Sequence, residues 1–183
     1  MTKTVKIGDK VIGGGNPILI QSMTTTKTQD VGKTVEQIKA LTTAGCDIVR
    51  VTVPDMEAAK QIDKIREQIT IPLVADIHFD YRVALECMDR GIDKVRINPG
   101  NIGDIERVKA VAQKAVSKNI PIRIGVNGGS LDKEILAKYG APCADAMVES
   151  GLKEIRALEQ FGMENIVISL KSSTVTEDRK SVV

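Results

Sequence analysis

The 183-residue sequence is poor in aromatic residues and has no surplus of charge of either sign. It contains no Trp, two Phe, two Tyr and one His, and its 26 Lys and Arg residues nearly balance 24 Asp and Glu residues. The formal net charge is only +2, and no basic run occurs. Nucleic-acid-binding proteins usually combine a basic surface with aromatic side chains that stack on bases. The composition therefore argues against a nucleic-acid partner.

Long apolar runs and paired cysteines are also missing. No apolar stretch approaches the roughly 20 residues of a membrane-spanning helix, and the first residues, MTKTVKIGDK, lack the apolar core of a signal peptide. Cys46, Cys87 and Cys143 are odd in number and far apart, which indicates a reducing compartment. Without a CxxC motif or a Cys/His cluster, we expect no metal site in this chain. These absences predict a cytoplasmic protein that makes no membrane contact.

What the sequence does contain is a regular alternation of strand and helix patterns. Residues 3–12 predict a hairpin that turns at Gly8 and Asp9. Six apolar, β-branched runs follow, at 17–23, 47–53, 72–77, 93–98, 121–127 and 165–171. The segments between them carry apolar residues at helical spacing, with a predicted Asp30 cap on the first helix and one helix over 58–69. Asn-Pro-Gly-Asn at 98–101 predicts a turn.

Repeated β-α units predict a parallel sheet with right-handed crossovers, and two α/β architectures fit. An open doubly wound sheet usually carries a GxGxxG motif after its first strand, and none is present. Polar residues instead follow every predicted strand, where the active sites of (β/α)8 (TIM) barrels lie. We therefore favour a TIM barrel. It is incomplete, because about six of the eight β/α units are present.

Polar residues with a spacing of two occur at the end of successive strands, which places them on one face. The set is Arg50 and Thr52, Asp76 and His78, Arg96 and Asn98, Arg123, Gly125 and Asn127, and Ser169, Lys171 and Ser173. The set includes three arginines and a lysine but a single carboxylate. Because burying unpaired guanidinium groups is costly, these cations predict a bound polyanion, most simply a diphosphate or a bis-phosphorylated small molecule. The alternative is that some of them form salt bridges with loop carboxylates.

The remaining polar residues suggest roles at the same strand ends. His78 shares a face with Asp76, so these two are the candidates for substrate contact and proton transfer, although neither is assigned as a catalytic residue with certainty. Asn98 and Asn127 could donate hydrogen bonds to substrate hydroxyls or could cap turns and helices. Ser169 and Lys171 complete the predicted substrate-binding set.

At these residues the chain closely resembles the bacterial 4-hydroxy-3-methylbut-2-en-1-yl diphosphate synthases of the non-mevalonate isoprenoid pathway. The matching segments are PILIQSMTTT, GCDIVRVTVP, PLVADIHFD, KVRINPGNIG, IRIGVNGGSL and NIVISLKSS, in the order of the family. The resemblance covers residues 3–174. It implies that Arg50, Arg96, Arg123 and Lys171 grip the diphosphate and that Asp76, His78, Asn98 and Asn127 line the site.

The resemblance also implies the chemistry of the complete family members. They reductively open 2-C-methyl-D-erythritol 2,4-cyclodiphosphate to 4-hydroxy-3-methylbut-2-enyl diphosphate, with flavodoxin or ferredoxin as the electron donor. A [4Fe-4S] cluster lies in a separate carboxy-terminal domain, which in the homodimer caps the barrel of the other subunit. The residues that ligate the cluster are not present in this sequence, and the three cysteines do not match them.

We therefore interpret residues 1–177 as a partial substrate-binding barrel. Residues 178–183, DRKSVV, match the translation of a common sequencing adapter and are expected to be a non-native tail. The polypeptide alone is expected to be inactive and poorly soluble, because an open barrel exposes strand edges and aliphatic surface. A different phosphate-binding barrel, such as a pterin-binding synthase or an aldolase, is the remaining alternative.

Overall fold

The computed structural model describes residues 2–176, apart from the side chains at 99, 100 and 130. The predicted tail at 178–183 lies outside the described residues. The strands are β1 Val5–Ile7, β2 Lys10–Ile12, β3 Gln21–Met23, β4 Ile48–Thr52, β5 Leu73–Asp76, β6 Lys94–Ile97, β7 Ile122–Asn127 and β8 Ile166–Lys171. The helices are α1 Val31–Thr43, α2 Met56–Ala59, α3 Ile62–Arg66, α4 Tyr81–Asp89, α5 Pro99–Ile102, α6 Ile105–Lys118, α7 Lys133–Tyr139 and α8 Ala144–Glu159, and Gly128–Ser130 is a 3-10 turn.

The six strands β3 to β8 form one parallel sheet in the order in which they occur along the chain. A doubly wound sheet reverses its strand order part-way, and this one does not. Helices α1, α4, α6 and α8 lie between successive strands. The sheet is therefore an incomplete TIM barrel, as the sequence predicts, and the doubly wound alternative is wrong.

The outer face of the sheet carries the main hydrophobic core. Its completely buried side chains, which pack with the apolar faces of the helices, include Val51, Leu73, Ile97 and Ile124. These residues alternate with the inward-facing ones, as the pleat of a strand requires. Burial of this aliphatic layer is the main stabilising contribution in the chain.

The hairpin of β1 and β2 closes the amino-terminal end of the inner face. Val5 and Ile7 of the hairpin pack against Ile48 and Val74, which point inward from β4 and β5. The hairpin and its turn agree with the sequence prediction. The inner face is thus apolar at its amino-terminal end and open at the carboxyl ends of the strands.

Local hydrogen bonds explain where helix predictions succeed and fail. The Asp30 carboxylate accepts from the Lys33 N–H at 3.2 Å, so the predicted cap of α1 is confirmed. The single helix predicted over 58–69 is divided into α2 and α3, because the Gln61 N–H donates to the Ala58 carbonyl in a tight i−3 bond. The turn predicted at 98–101 contains the short helix α5, which starts at a proline, a residue well suited to a first helical turn.

The two edges of the sheet leave apolar side chains uncovered. Ile18 and Ile20, before and beside β3, are 97% and 62% exposed, and Ile168 on β8 is 42% exposed. The strand predicted over 17–23 contributes only Gln21–Met23 to the ladder. No helix within residues 2–176 is long and apolar enough to span a membrane.

Candidate functional site

Asp76 is the centre of a charged cluster on the inner face, at the carboxyl ends of the strands. It is the last residue of β5 and is 4% exposed. Its Oδ1 lies 3.0 Å from Arg96 Nη1 and 3.3 Å from His78 Nε2, and its Oδ2 lies 3.5 Å from Arg50 Nε. Three side chains predicted for the site therefore contact the Asp76 carboxylate, namely Arg50, His78 and Arg96.

The two arginines on either side of Asp76 are held in place by contacts with neighbouring strands. Arg50 of β4 directs its Nε and Nη2 at Met23 Sδ, at 3.3 and 3.1 Å, because Met23 is its register partner on β3. The guanidinium of Arg96 lies over Gly125 of β7. A Cβ at Gly125 would lie 2.6 Å from Arg96 Nη2, so only glycine leaves the guanidinium in this place.

Arg123 adds a third guanidinium to the cluster. Unlike Arg50 and Arg96, it pairs with no described carboxylate. It stands beside Arg96 in the register of β6 and β7, and it forms no ion pair with any residue in 2–176. Burial, together with Arg50 and Arg96, lowers the pKa of Arg123, and the Asp76 carboxylate only partly offsets this. The site is therefore positively charged, since Asp76 is shared among several cations.

Lys94 is a further cation of the inner face that the sequence analysis did not include. It begins β6, is 2% exposed, and its Nζ donates to Gln21 Oε1 at 3.3 Å. Burial, with Arg123 and Arg50 nearby, lowers the pKa of Lys94 to about 8. The sequence spacing was sufficient to predict this position, because Lys94 precedes Arg96 by two residues and therefore lies on the same face of the strand.

The other predicted residues lie further from this cluster. Asn127 is exposed, and its side chain accepts from the Gly129 N–H at 3.2 Å, which is the capping alternative. Ser169 is half-buried and lines the inner cavity near Arg123, whereas Lys171 is exposed at the end of the edge strand β8. Asn98 lines a separate cavity between α6 and α8. The structure thus brings together Arg50, Asp76, His78, Arg96 and Arg123 most closely.

Glu154 of α8 is a second polar residue that the sequence analysis missed. It lines the cavity of about 560 Å³ between α6 and α8, and its Oε2 is buried with no hydrogen-bond partner among the described residues. Burial raises the pKa of Glu154 to about 7, although Arg96 and Lys153 act in the opposite direction. Little in the sequence indicates that Glu154 is buried. It is a single acidic residue at helical spacing from the buried residues Met147, Gly151 and Leu158.

Comparison with known proteins identifies the family. A profile of the GcpE TIM-barrel domain matches residues 2–181. The chain belongs to the GcpE family. This GcpE chain is 59% identical over 175 residues to the 4-hydroxy-3-methylbut-2-en-1-yl diphosphate synthase (flavodoxin) of Caldicellulosiruptor saccharolyticus and 61% identical over 175 residues to that of Caldanaerobacter subterraneus. The family resemblance in the sequence is thereby confirmed.

The matches cover nearly all of this chain but only part of each relative. Both alignments cover 96% of the GcpE chain but only 50% and 49% of the two relatives. The chain therefore spans about half the length of the curated relatives it matches. Among solved structures, the dihydropteroate synthase of Vibrio fischeri superposes with a TM-score of 0.66 at 13% identity, over 91% of this chain and 66% of that one. At that identity the likeness shows the barrel fold alone.

Two of the three cysteines of the GcpE chain, Cys46 and Cys87, are buried in the core. Cys46 is buried with its Sγ 3.0 Å from the Ile48 carbonyl, and burial, with Glu86 nearby, raises the pKa of Cys87 to about 12. Cluster ligands are thiolates, which the environment of Cys87 disfavours. Within residues 2–176, no group of three or more His, Cys, Asp or Glu side chains could hold a metal ion.

Proposed function

We propose that this barrel binds the diphosphate of 2-C-methyl-D-erythritol 2,4-cyclodiphosphate for reductive opening to 4-hydroxy-3-methylbut-2-enyl diphosphate. The relatives are named for that product and for flavodoxin, which supports flavodoxin as the electron donor, with ferredoxin as the other candidate. The [4Fe-4S] cluster and the homodimer remain predictions for the complete family members. The barrel residues would bind and orient the substrate.

The observation that carries this proposal is the excess of guanidinium groups around Asp76. Arg50 and Arg96 share that carboxylate, and Arg123 has no ion pair among the described residues. Planar guanidinium groups donate paired hydrogen bonds that match phosphate oxygens. A diphosphate would neutralise the excess charge, and its two phosphoryl groups would occupy more than one arginine.

Asp76 and His78 would act by orientation and proton exchange. Asp76 holds Arg96 and His78 through the same oxygen, Oδ1, so that both side chains are positioned together. His78 is 47% exposed at the mouth and can therefore contact a ligand that enters from solvent. A histidine in this place can donate a hydrogen bond to a phosphate or transfer a proton.

The proposal is tested by titrating the chain with the cyclic diphosphate in a calorimeter. Arg96→Ala should weaken binding by about tenfold or more, because a charge-assisted hydrogen bond contributes roughly 1.5–3 kcal/mol. Arg156→Ala removes an exposed arginine of α8 and serves as the matched control, with unchanged affinity. Equal affinities for the wild type and Arg96→Ala would remove Arg96 from the site.

A second candidate is a barrel that binds the diphosphate without turning it over. The uncovered side chains at both sheet edges favour it, because they leave one side of the barrel open to solvent. An assay of the same chain with reduced flavodoxin separates the two candidates. Turnover would exclude the second, and binding without turnover would support it.

A further inference from the structure

Lys94 lies on the inner face of β6, two residues before Arg96 and level with Arg50, beside the apolar cluster of the hairpin. Its register partner on β5 is Val74, which packs with the hairpin residues Val5 and Ile7. Lys94 is 2% exposed, and its ammonium group donates to one neutral oxygen, Gln21 Oε1. An ammonium has three N–H donors, and burying it away from water with a single neutral partner is unfavourable.

The charged groups that face Lys94 add to this cost. Arg123 on β7 and Arg50 on β4 act on this lysine directly, and Arg96 and Asp76 lie two residues further along the same face on β6 and β5. Asp76 already contacts two of those arginines and His78. No described carboxylate forms an ion pair with Lys94 or Arg123. The lower part of the inner face therefore carries more positive charge than the protein itself neutralises.

A cavity that is open to solvent is lined by two of these cations, Lys94 and Arg123. Lys94, Arg123, Gln21 and Ser169 line a space of about 650 Å³ on the inner face of the sheet. A small diphosphate fits in a space of that size, and an ammonium acts as a point charge toward phosphate oxygens. The hydroxyl of Ser169 and the amide of Gln21 are neutral groups that can also donate to an anion.

We propose that Lys94 is a further anion-binding residue, which contacts the diphosphate together with Arg123 and takes up a proton when the anion binds. This inference rests on the proposed function, because it concerns the same ligand. The pKa of Lys94 is lowered to about 8 by burial and by the two arginines, so near pH 8 about half of the molecules carry a neutral amine. A bound anion reverses the electrostatic cause and favours the ammonium form.

The proton uptake is measurable by calorimetry in two buffers of different ionisation enthalpy. Each phosphorus of the cyclic diphosphate carries one strongly acidic hydroxyl, so the ligand exchanges no proton near pH 8. The wild type should take up about half a proton at pH 8 and almost none at pH 6.5. Lys94→Met should bind about tenfold more weakly or worse at pH 6.5, and its proton uptake at pH 8 should be lost.

Lys94→Arg is the decisive second variant, because it keeps the charge but cannot lose its proton in this range. It should retain affinity close to that of the wild type and show no proton uptake at pH 8. Lys39→Met, which alters an exposed lysine of α1, should match the wild type in both measurements. Thermal melts should show Lys94→Met to be more stable than the wild type below pH 8, since a buried unpaired charge is removed.

The outcomes separate this inference from the function on which it rests. If the wild type binds the cyclic diphosphate and Lys94→Met binds it equally well, the inference is wrong and the proposed function stands. Loss of stability together with unchanged affinity per folded Lys94→Met molecule would make Lys94 a structural residue. If the wild type itself binds no cyclic diphosphate while inorganic pyrophosphate still shows the Lys94-dependent proton uptake, the anion site stands and the proposed substrate is wrong. Binding of neither ligand overturns both.

Discussion

On the outer face of the sheet, Val51 and Leu73 are completely buried under the helices, whereas the inner face of the same sheet carries Arg50, Lys94 and Arg123. The outer side chains are apolar and need no partner. The inner ones are charged, and in the described part of the chain Asp76 is the one carboxylate that pairs with them. Packing density governs the first face and charge compensation the second. Stability and ligand binding should therefore respond to different mutations in adjacent residues.

The same comparison explains why the inner face is informative about function. A protein gains nothing in stability from concentrating cations where water is scarce, and such clusters occur where a ligand completes them. The arrangement of Arg50, Arg96 and Arg123 around Asp76 is costly without an anion. The outer face has the composition that any barrel of this kind requires and carries no information about the ligand.

The largest expected effect is on the outer face. Leu73→Ala should lower the free energy of unfolding by about 3 kcal/mol, because Leu73 is completely buried and the truncation leaves a cavity. Urea denaturation followed by circular dichroism measures this loss. The affinity of the folded fraction for the cyclic diphosphate should be unchanged, in contrast to that of Arg96→Ala.

Leu152→Ala is the matched control for this prediction. Leu152 is 44% exposed on α8, so its truncation should change the free energy of unfolding by about 0.5 kcal/mol or less. A loss below 1 kcal/mol for Leu73→Ala, or a loss of affinity as large as that of Arg96→Ala, would contradict the separation of the two faces.

Most of the fold follows from the sequence for physical reasons. Alternation of apolar and polar residues along each strand, and the repeated β-α order, are sufficient to predict the parallel sheet and its sequential strand order. The break between α2 and α3 could not be predicted, because it depends on a single hydrogen bond between Gln61 and Ala58. The short β3 has a similar cause: the Ile20 carbonyl accepts from the Asp47 N–H while the chain before it remains outside the ladder.

The site was predicted where a polar residue ends a strand and missed where it begins one. Asp76 and Arg96 are register partners, and Arg50 lies two residues below them on the same face of the sheet, so their convergence follows from the pleat. Lys94 is level with Arg50 but begins its strand, a position where a lysine is usually a solvent-exposed flanking residue. The exposure of Lys171 could not be predicted, because it depends on what covers the sheet edge and not on the face to which it points.

Glu154 is an exception to the apolar character of the outer layer, and it yields the next largest effect. Its pKa is about 7 in the folded state because of burial, against a reference value of 4.5. Between these values the folded state binds more protons than the unfolded state, so this group lowers stability as the pH rises from about 4.5 to about 7. Glu154→Gln should therefore raise the free energy of unfolding at pH 8 by about 2 kcal/mol. This is less than the full effect of the pKa difference, because the Glu154 side chain is partly solvated.

Urea denaturation at pH 5 and at pH 8 tests this prediction. The gain for Glu154→Gln should be present at pH 8 and nearly absent at pH 5, where the buried carboxyl is protonated. Glu159→Gln changes an exposed glutamate of the same helix and should have the same pH dependence as the wild type. An equal gain at both pH values would mean that hydrogen bonding or packing, and not the buried charge, determines the effect.

The smallest effect concerns a single methyl group beneath the arginine cluster. In Gly125→Ala the new Cβ would lie 2.6 Å from Arg96 Nη2 and 2.8 Å from its Nε, so the guanidinium must move away from its present place. Because that group is the end of a flexible side chain, the free energy of unfolding should change by less than about 1 kcal/mol. Affinity for the cyclic diphosphate should fall by about tenfold, since the Arg96 guanidinium is displaced from the place in which it would bind the phosphate.

Gly32→Ala separates this steric effect from the general consequence of replacing glycine. Gly32 lies in α1, and a Cβ there would approach only Asp30 Oδ1, at 3.9 Å. That variant should be slightly more stable than the wild type, because alanine favours a helix, and its affinity should be unchanged. If Gly125→Ala binds the diphosphate as tightly as Gly32→Ala does, then the place of Arg96 over Gly125 is not the one used in binding. The inner face would then tolerate rearrangement in the way that the outer face does not.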